Sequence, residues 1–176
     1  CSLTLNGVTR LINDLELSLG KDYKIITYSI NPKETPELAD KKAKNYYKTL
    51  DKAELAEGNW HFLSSDEATV TKLSAKIGFG YAKDKEDYMH AATIVIVSPE
   101  GKISRYFTDV LYEERDVRLS LVEASRGEIG SIIDKAILYC FRFDANRGKY
   151  TLAILEVTRL ISLFILTPVS YTHLTL

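Results

Sequence analysis

Six side chains of this sequence carry donors soft or basic enough for metal or redox chemistry: Cys1, Cys140, Met89, His61, His90 and His173. A thiolate is a nucleophile and a soft metal ligand, and an imidazole is both a base and a ligand. Two cysteines are too few for a disulfide scaffold or a four-thiolate zinc site. No Gly-rich phosphate loop, paired-carboxylate motif or Ser/His/Asp signature is present. Gly78-x-Gly80 is too short for a dinucleotide fingerprint. The chemistry on offer is that of thiol and imidazole.

Three readings compete for Cys1: the lipidated first residue of a lipoprotein, an N-terminal nucleophile, or an internal cysteine exposed by truncation. Leu5, Val8, Ile12, Leu15 and Leu19 recur at steps of three and four. That spacing predicts an amphipathic helix beginning directly after Cys1 and closed by Gly20. A helix here argues against a flexible lipid tether. It places the thiol at a helix N-terminus, where the dipole and free N–H groups favour a thiolate, a setting suited to redox or soft-metal chemistry. Cys140, inside the apolar run Ile137–Phe143, reads as a small buried hydrophobe; pairing with Cys1 is its sharper alternative.

His61 falls in Trp60-His61-Phe62-Leu63, a short strand, and reads as a structural or surface histidine. His90 sits where a polar, aromatic loop (Phe79 to Met89) meets a strand. In open α/β sheets such loops surround the functional crevice, so a ligand role and a structural one stand level. The Met89 thioether is within reach of a soft metal at His90, with packing its ordinary role.

The elements that must position these residues follow from pattern. Tyr23–Ile30 reads as a buried parallel strand. Thr35 caps a helix that has Pro36 at its first position and runs to about Leu50. Asp66 caps another, carrying Val70, Leu73 and Ile77 and ending at Gly78. Ala91–Val97 is a second buried strand, and the turn Ser98–Lys102 returns it as Ile103–Phe107. A helix from Glu113 to Ser125 is stopped by Gly127. Ala136–Phe143 and Lys149–Leu155 flank Asp144–Gly148 as a hairpin. The order is that of an α/β, thioredoxin-like layer whose first strand would precede Cys1.

With 45% apolar and 27% charged residues, 176 residues make about one globular domain. A net charge of -1 offers no basic excess for a phosphate backbone, which argues against nucleic acid. The only methionine is Met89, which points to a processed or truncated start. Residues 151–167 are largely apolar and read as the opening of a transmembrane helix, with an amphipathic or core helix as the alternative. Residues 168–176 (PVSYTHLTL) fit no preceding pattern and are set aside as non-native read-through, His173 with them.

Taken in order, several stretches resemble the Sco/SenC family. Cys1–Gly7 is similar to the end of its Cys-x-x-x-Cys segment and the helix that follows. Ser29-Ile30-Asn31-Pro32-Lys33-Glu34-Thr35-Pro36 resembles its Ser-Val-Asp-Pro-x-x-Asp-Thr-Pro stretch, with Asn31 where Asp is usual. Trp60–Leu63 resembles its Trp-x-Phe-Leu strand. Tyr88–Ala92 followed by Pro99-Glu100-Gly101-Lys102 resembles its metal-binding histidine and hairpin. Leu119–Gly130 and Tyr139–Tyr150 resemble a bacterial C-terminal extension that continues into a membrane helix.

The resemblance implies a thioredoxin-fold copper chaperone over residues 1–128, a hairpin extension over 129–150, and a membrane segment from 151. Copper, as Cu(I) or Cu(II), would be held by two cysteines and one distant histidine. Cys1 would be the second cysteine, His90 the histidine, and the first cysteine would lie four positions upstream. The implied partners are the copper-bearing subunit of cytochrome c oxidase and other copper-handling proteins. The implied location is the bacterial inner membrane, with the soluble domain on its outer, periplasmic face. Without the upstream cysteine, the chain should bind copper weakly.

Thiol–disulfide exchange through Cys1 is the rival activity, since it needs only an exposed low-pKa thiolate and a resolving partner. Peroxide reduction would want a Thr and an Arg around the cysteine, and neither is set there. A non-catalytic interaction domain completes the alternatives.

Overall fold

The computed structural model describes residues 2–84, 87–108, 110–126, 141–144, 149–152, 158–159 and 162. Its elements run α1 (Ser2–Asp14), β1 (Ile25–Tyr28), α2 (Pro36–Tyr47), a 3-10 turn (Ala53–Leu55), β2 (Trp60–Leu63) and α3 (Glu67–Lys76). There follow β3 (Tyr81–Asp84), β4 (Asp87–His90), β5 (Ile94–Val97), β6 (Ile103–Phe107), α4 (Glu114–Ala124), β7 (Phe141–Asp144) and β8 (Lys149–Leu152). The architecture is mixed α/β.

β1, α2 and β2 form a βαβ unit, with β1 parallel to β2 and Ile25 opposite Trp60. The other ladders, β3–β4, β5–β6 and β7–β8, are antiparallel pairs. The helix of this unit and the one that follows it start where their capping chemistry dictates. Thr35 accepts from the Leu38 N–H and Pro36 opens α2; Asp66 accepts from the Thr69 N–H at 2.8 Å and opens α3. Such caps contribute about 1 kcal/mol each.

Two apolar clusters make the core. One gathers Leu11, Leu15, Ile96, Phe107, Val117 and Ala124; the other gathers Val8, Leu19, Leu50, Ala56 and Trp60. Tyr23, Ile94 and Tyr112 pack against both. Around Trp60, the rings of Tyr46, Tyr47 and Phe62 lie with centroids 5.1–6.1 Å from the indole.

The structure departs from the sequence pattern at several elements. α1 ends at Asp14, not Gly20. Beyond it, Leu15, Leu17 and Leu19 are buried and alternate with Glu16 and Ser18, the period of extended chain. Gly20 instead serves a turn at φ 91°, where the Ser18 N–H donates to the Asp22 carboxylate. β1 and β5 are not buried on both faces: Ile26 is 64% exposed and Val97 49%. α4 closes on Arg126, held at φ 56°, one residue before the expected Gly127, which lies outside the described residues.

The C-terminal hairpin is tied to the domain by Tyr150. Its hydroxyl donates to Glu123 at 2.6 Å, and the Arg105 guanidinium grips the same carboxylate through two contacts of 2.7 Å. Burial and the Glu123 carboxylate push the Tyr150 phenol well above its ordinary pKa. Among the described residues no helix is long and apolar enough to cross a membrane. Thr151 and Leu152 close β8; residues 153–157, 160–161 and 163–176, which hold most of the expected membrane segment and all of the terminal stretch, lie outside the described residues.

Tyr23 links this packing to pH. Burial first, and the neighbouring Asp22 carboxylate second, raise its pKa from 10.0 to about 12. The unfolded phenol ionises near pH 10, so the contribution is complete below about pH 10 and is lost as pH rises towards about 12. The urea midpoint of the chain should therefore hold to about pH 10 and fall above it. Tyr23→Phe should fall less; equal falls in both chains would remove Tyr23 as the cause.

Candidate metal centre

His90 ends β4, in register with Tyr81 of β3. The expected loop from Phe79 to Met89 is thus largely a hairpin. Lys83 and Asp84 face solvent on β3, which leaves little apolar alternation to announce a strand. The one readable signal is aromatic. Tyr81 and Tyr88 meet diagonally across the ladder, edge to face at 5.8 Å.

The imidazole of His90 is half-buried, and its contacts include the Ala91 carbonyl and the Phe79 ring. Its Nδ1 lies 3.0 Å from the Ala91 carbonyl oxygen. A carbonyl only accepts, so Nδ1 carries the proton and the neutral ring places its lone pair on Nε2. A metal-ligating histidine is oriented in this way, by donating its other ring N–H. The Phe79 ring lies 5.7 Å from the imidazole at 49°.

Met89 leaves this face. Neighbouring strand residues point to opposite sides, and its side chain is 62% exposed, neither packed nor turned with His90. His61 is exposed on β2 and lines a shallow groove of about 280 Å³ with Asp40, Tyr47 and Ser64. That agrees with a surface role.

Cys1 and Cys140 lie outside the described residues. α1 begins at Ser2, the residue after Cys1. Leu5, one turn into α1, and Ile94, four residues after His90, pack onto the same Trp60 cluster. The chain leaving Cys1 and the chain leaving His90 therefore enter one core. Among the described residues no three His, Cys, Asp or Glu side chains form a metal-ligating group.

Asn31 has a structural task. Its Oδ1 accepts from the Lys33 N–H at 3.0 Å, while the Ser29 hydroxyl donates to Glu34 at 2.6 Å and Lys42 pairs with Glu34 at 2.6 Å. Turn formation of this kind is open to Asn and Asp alike. An amide at position 31 keeps the loop that delivers Thr35 to the start of α2.

Comparison with protein-family models finds no match, and comparison with curated proteins finds none. Among solved structures, the chain is similar to the crystal structure of a proposed electron transfer protein from Aquifex aeolicus VF5. The TM-score is 0.62 and the sequence identity 26%, over 73% of this chain and 72% of that one.

Proposed function

We propose that the chain is a thioredoxin-like copper carrier, taking copper as cargo through Cys1, a second cysteine before it and His90. The observation that supports this reading is that Leu5 and Ile94, which follow Cys1 and His90 in the chain, pack against the same Trp60 cluster. The Nδ1–H tautomer of His90 adds a basic Nε2. Thiolates hold Cu(I), and an imidazole extends the set to Cu(II). Binding releases the thiol protons, so uptake strengthens as pH rises. The recipient on this reading is the copper-bearing subunit of cytochrome c oxidase. The setting is the outer face of the bacterial inner membrane, with the C-terminal segment as anchor.

A second reading, thiol–disulfide exchange through Cys1, is favoured by the description of the Aquifex aeolicus VF5 protein as one of electron transfer. The two separate at His90. Copper titration would compare the 176-residue chain with a form carrying Cys-x-x-x before Cys1. The extended form should take up copper stoichiometrically and the shorter chain far more weakly. His90→Ala in the extended form should lower Cu(II) affinity by about 10–100-fold, on the scale of changes around a ligating histidine. Tight stoichiometric uptake by the shorter chain, or an affinity indifferent to His90→Ala, defeats the copper reading. Disulfide reductase activity that survives His90→Ala and vanishes in Cys1→Ser establishes exchange.

A further inference from the structure

His90 is reached from the end of α3 by a short and well-fixed route. Gly78, at φ 65°, follows the helix, and its N–H donates to the Ala75 carbonyl at 3.3 Å. The Phe79 N–H then donates back to the Ser74 carbonyl at 2.9 Å. These two bonds are the Schellman closure of a helix, and they set the backbone of Phe79 relative to α3. The Tyr106 hydroxyl of β6 donates to the Ile77 carbonyl at 2.9 Å and ties the same terminus to the β5–β6 hairpin. From this anchored position the Phe79 ring meets the His90 ring at 5.7 Å.

We infer that Phe79 is a positioning residue for His90, holding its imidazole in the Nδ1–H tautomer with Nε2 presented as the donor. The inference rests on the reading of His90 as a ligand. Two restraints define a planar ring: one on a ring atom and one on a ring face. The Ala91 carbonyl supplies the first at Nδ1. The Phe79 ring, tilted at 49° to the imidazole, supplies the second through carbon alone and brings no polar atom of its own. Tyr or Trp at position 79 would keep the face, and Ala or Leu would remove it.

The test reads the tautomer directly, by long-range proton–nitrogen correlation spectra of the metal-free, 15N-labelled chain at a pH where His90 is neutral. The wild type should show Nδ1 as the protonated nitrogen. Phe79→Ala should shift the population at least about threefold towards the Nε2–H form that free imidazole side chains prefer, and Phe79→Tyr should restore it. Phe79→Leu, which fills the space without a ring, should behave as Phe79→Ala and guards against a merely unfolded variant. An unchanged tautomer in both the Ala and Leu variants overturns the positioning role. Copper affinity of the Cys-x-x-x-extended form is measured alongside and should fall up to about tenfold with the tautomer. A shifted tautomer with affinity unmoved by either Phe79→Ala or His90→Ala defeats the copper reading and leaves the Phe79 contact standing.

Discussion

Trp60→Ala should lower the unfolding free energy by about 3–5 kcal/mol, the range for truncating a large aromatic in a packed core. Trp60 has no exposed surface and is ringed by Tyr46, Tyr47 and Phe62. Its indole N–H donates to the Thr27 hydroxyl at 2.9 Å, so truncation also removes a bond between β2 and β1. Domains of this size hold about 5–15 kcal/mol in all, and the substitution takes a large share of it. A drop in the denaturant midpoint at constant slope is the expected signature. A loss below about 1 kcal/mol would mean that the site collapses around the missing ring. Trp60→Phe should cost less, because it keeps an aromatic volume and loses chiefly the Thr27 bond.

Gly7→Val should be nearly as damaging, at about 3 kcal/mol, the upper part of the range for overpacking. On propensity alone a side chain at this helical position would help, since glycine inside a helix costs about 0.5–1 kcal/mol relative to alanine. Packing reverses the sign. A Cβ at Gly7 would stand 2.3 Å from the Val110 carbonyl oxygen and 3.0 Å from the Tyr112 ring. A backbone carbonyl cannot rotate away as a long side chain can, so α1 or the segment beneath it must move. Chemical denaturation of Gly7→Ala and Gly7→Val should show graded losses; a stabilised Gly7→Ala would show that α1 shifts freely.

What was legible in the sequence was whatever local chemistry decides. Thr35, Pro36 and Asp66 announced two helix starts because a cap is settled within four residues. Trp60–Leu63 and Ile103–Phe107 were readable to the residue because their turns and β-rich composition agree. The end of α1 was not, because Leu15 and Leu19 satisfy a helical step of four and an extended step of two equally well. Only the burial of Leu17 distinguishes them. The double burial expected of β1 and β5 also failed. Hydrophobicity on two faces records what a strand tolerates, whereas exposure depends on what packs beside it.

At the candidate site, His90 could be singled out from its position before a strand, but its surroundings could not. Phe79 lies eleven residues away in sequence and reaches the imidazole only because Gly78 turns the chain and β3 folds back on β4. Nothing in the spacing of Phe79 and His90 encodes that contact. The role of Asn31 was likewise hidden, since its turn bond to Lys33 is visible only in three dimensions.

The joint between the two halves of the core has a consequence for how the chain comes apart. Among the described residues no ladder joins β1–β2 to β5–β6. The two clusters are coupled through the side chains that touch both, Tyr23, Ile94 and Tyr112. Backbone ladders lose their bonds together, whereas side-chain contacts can loosen one at a time. The cooperativity of the two halves thus rests on these three half-buried residues together with α1, which lends Leu11 to one cluster and Val8 to the other. Weakening the three would loosen the joint while leaving every strand pair intact.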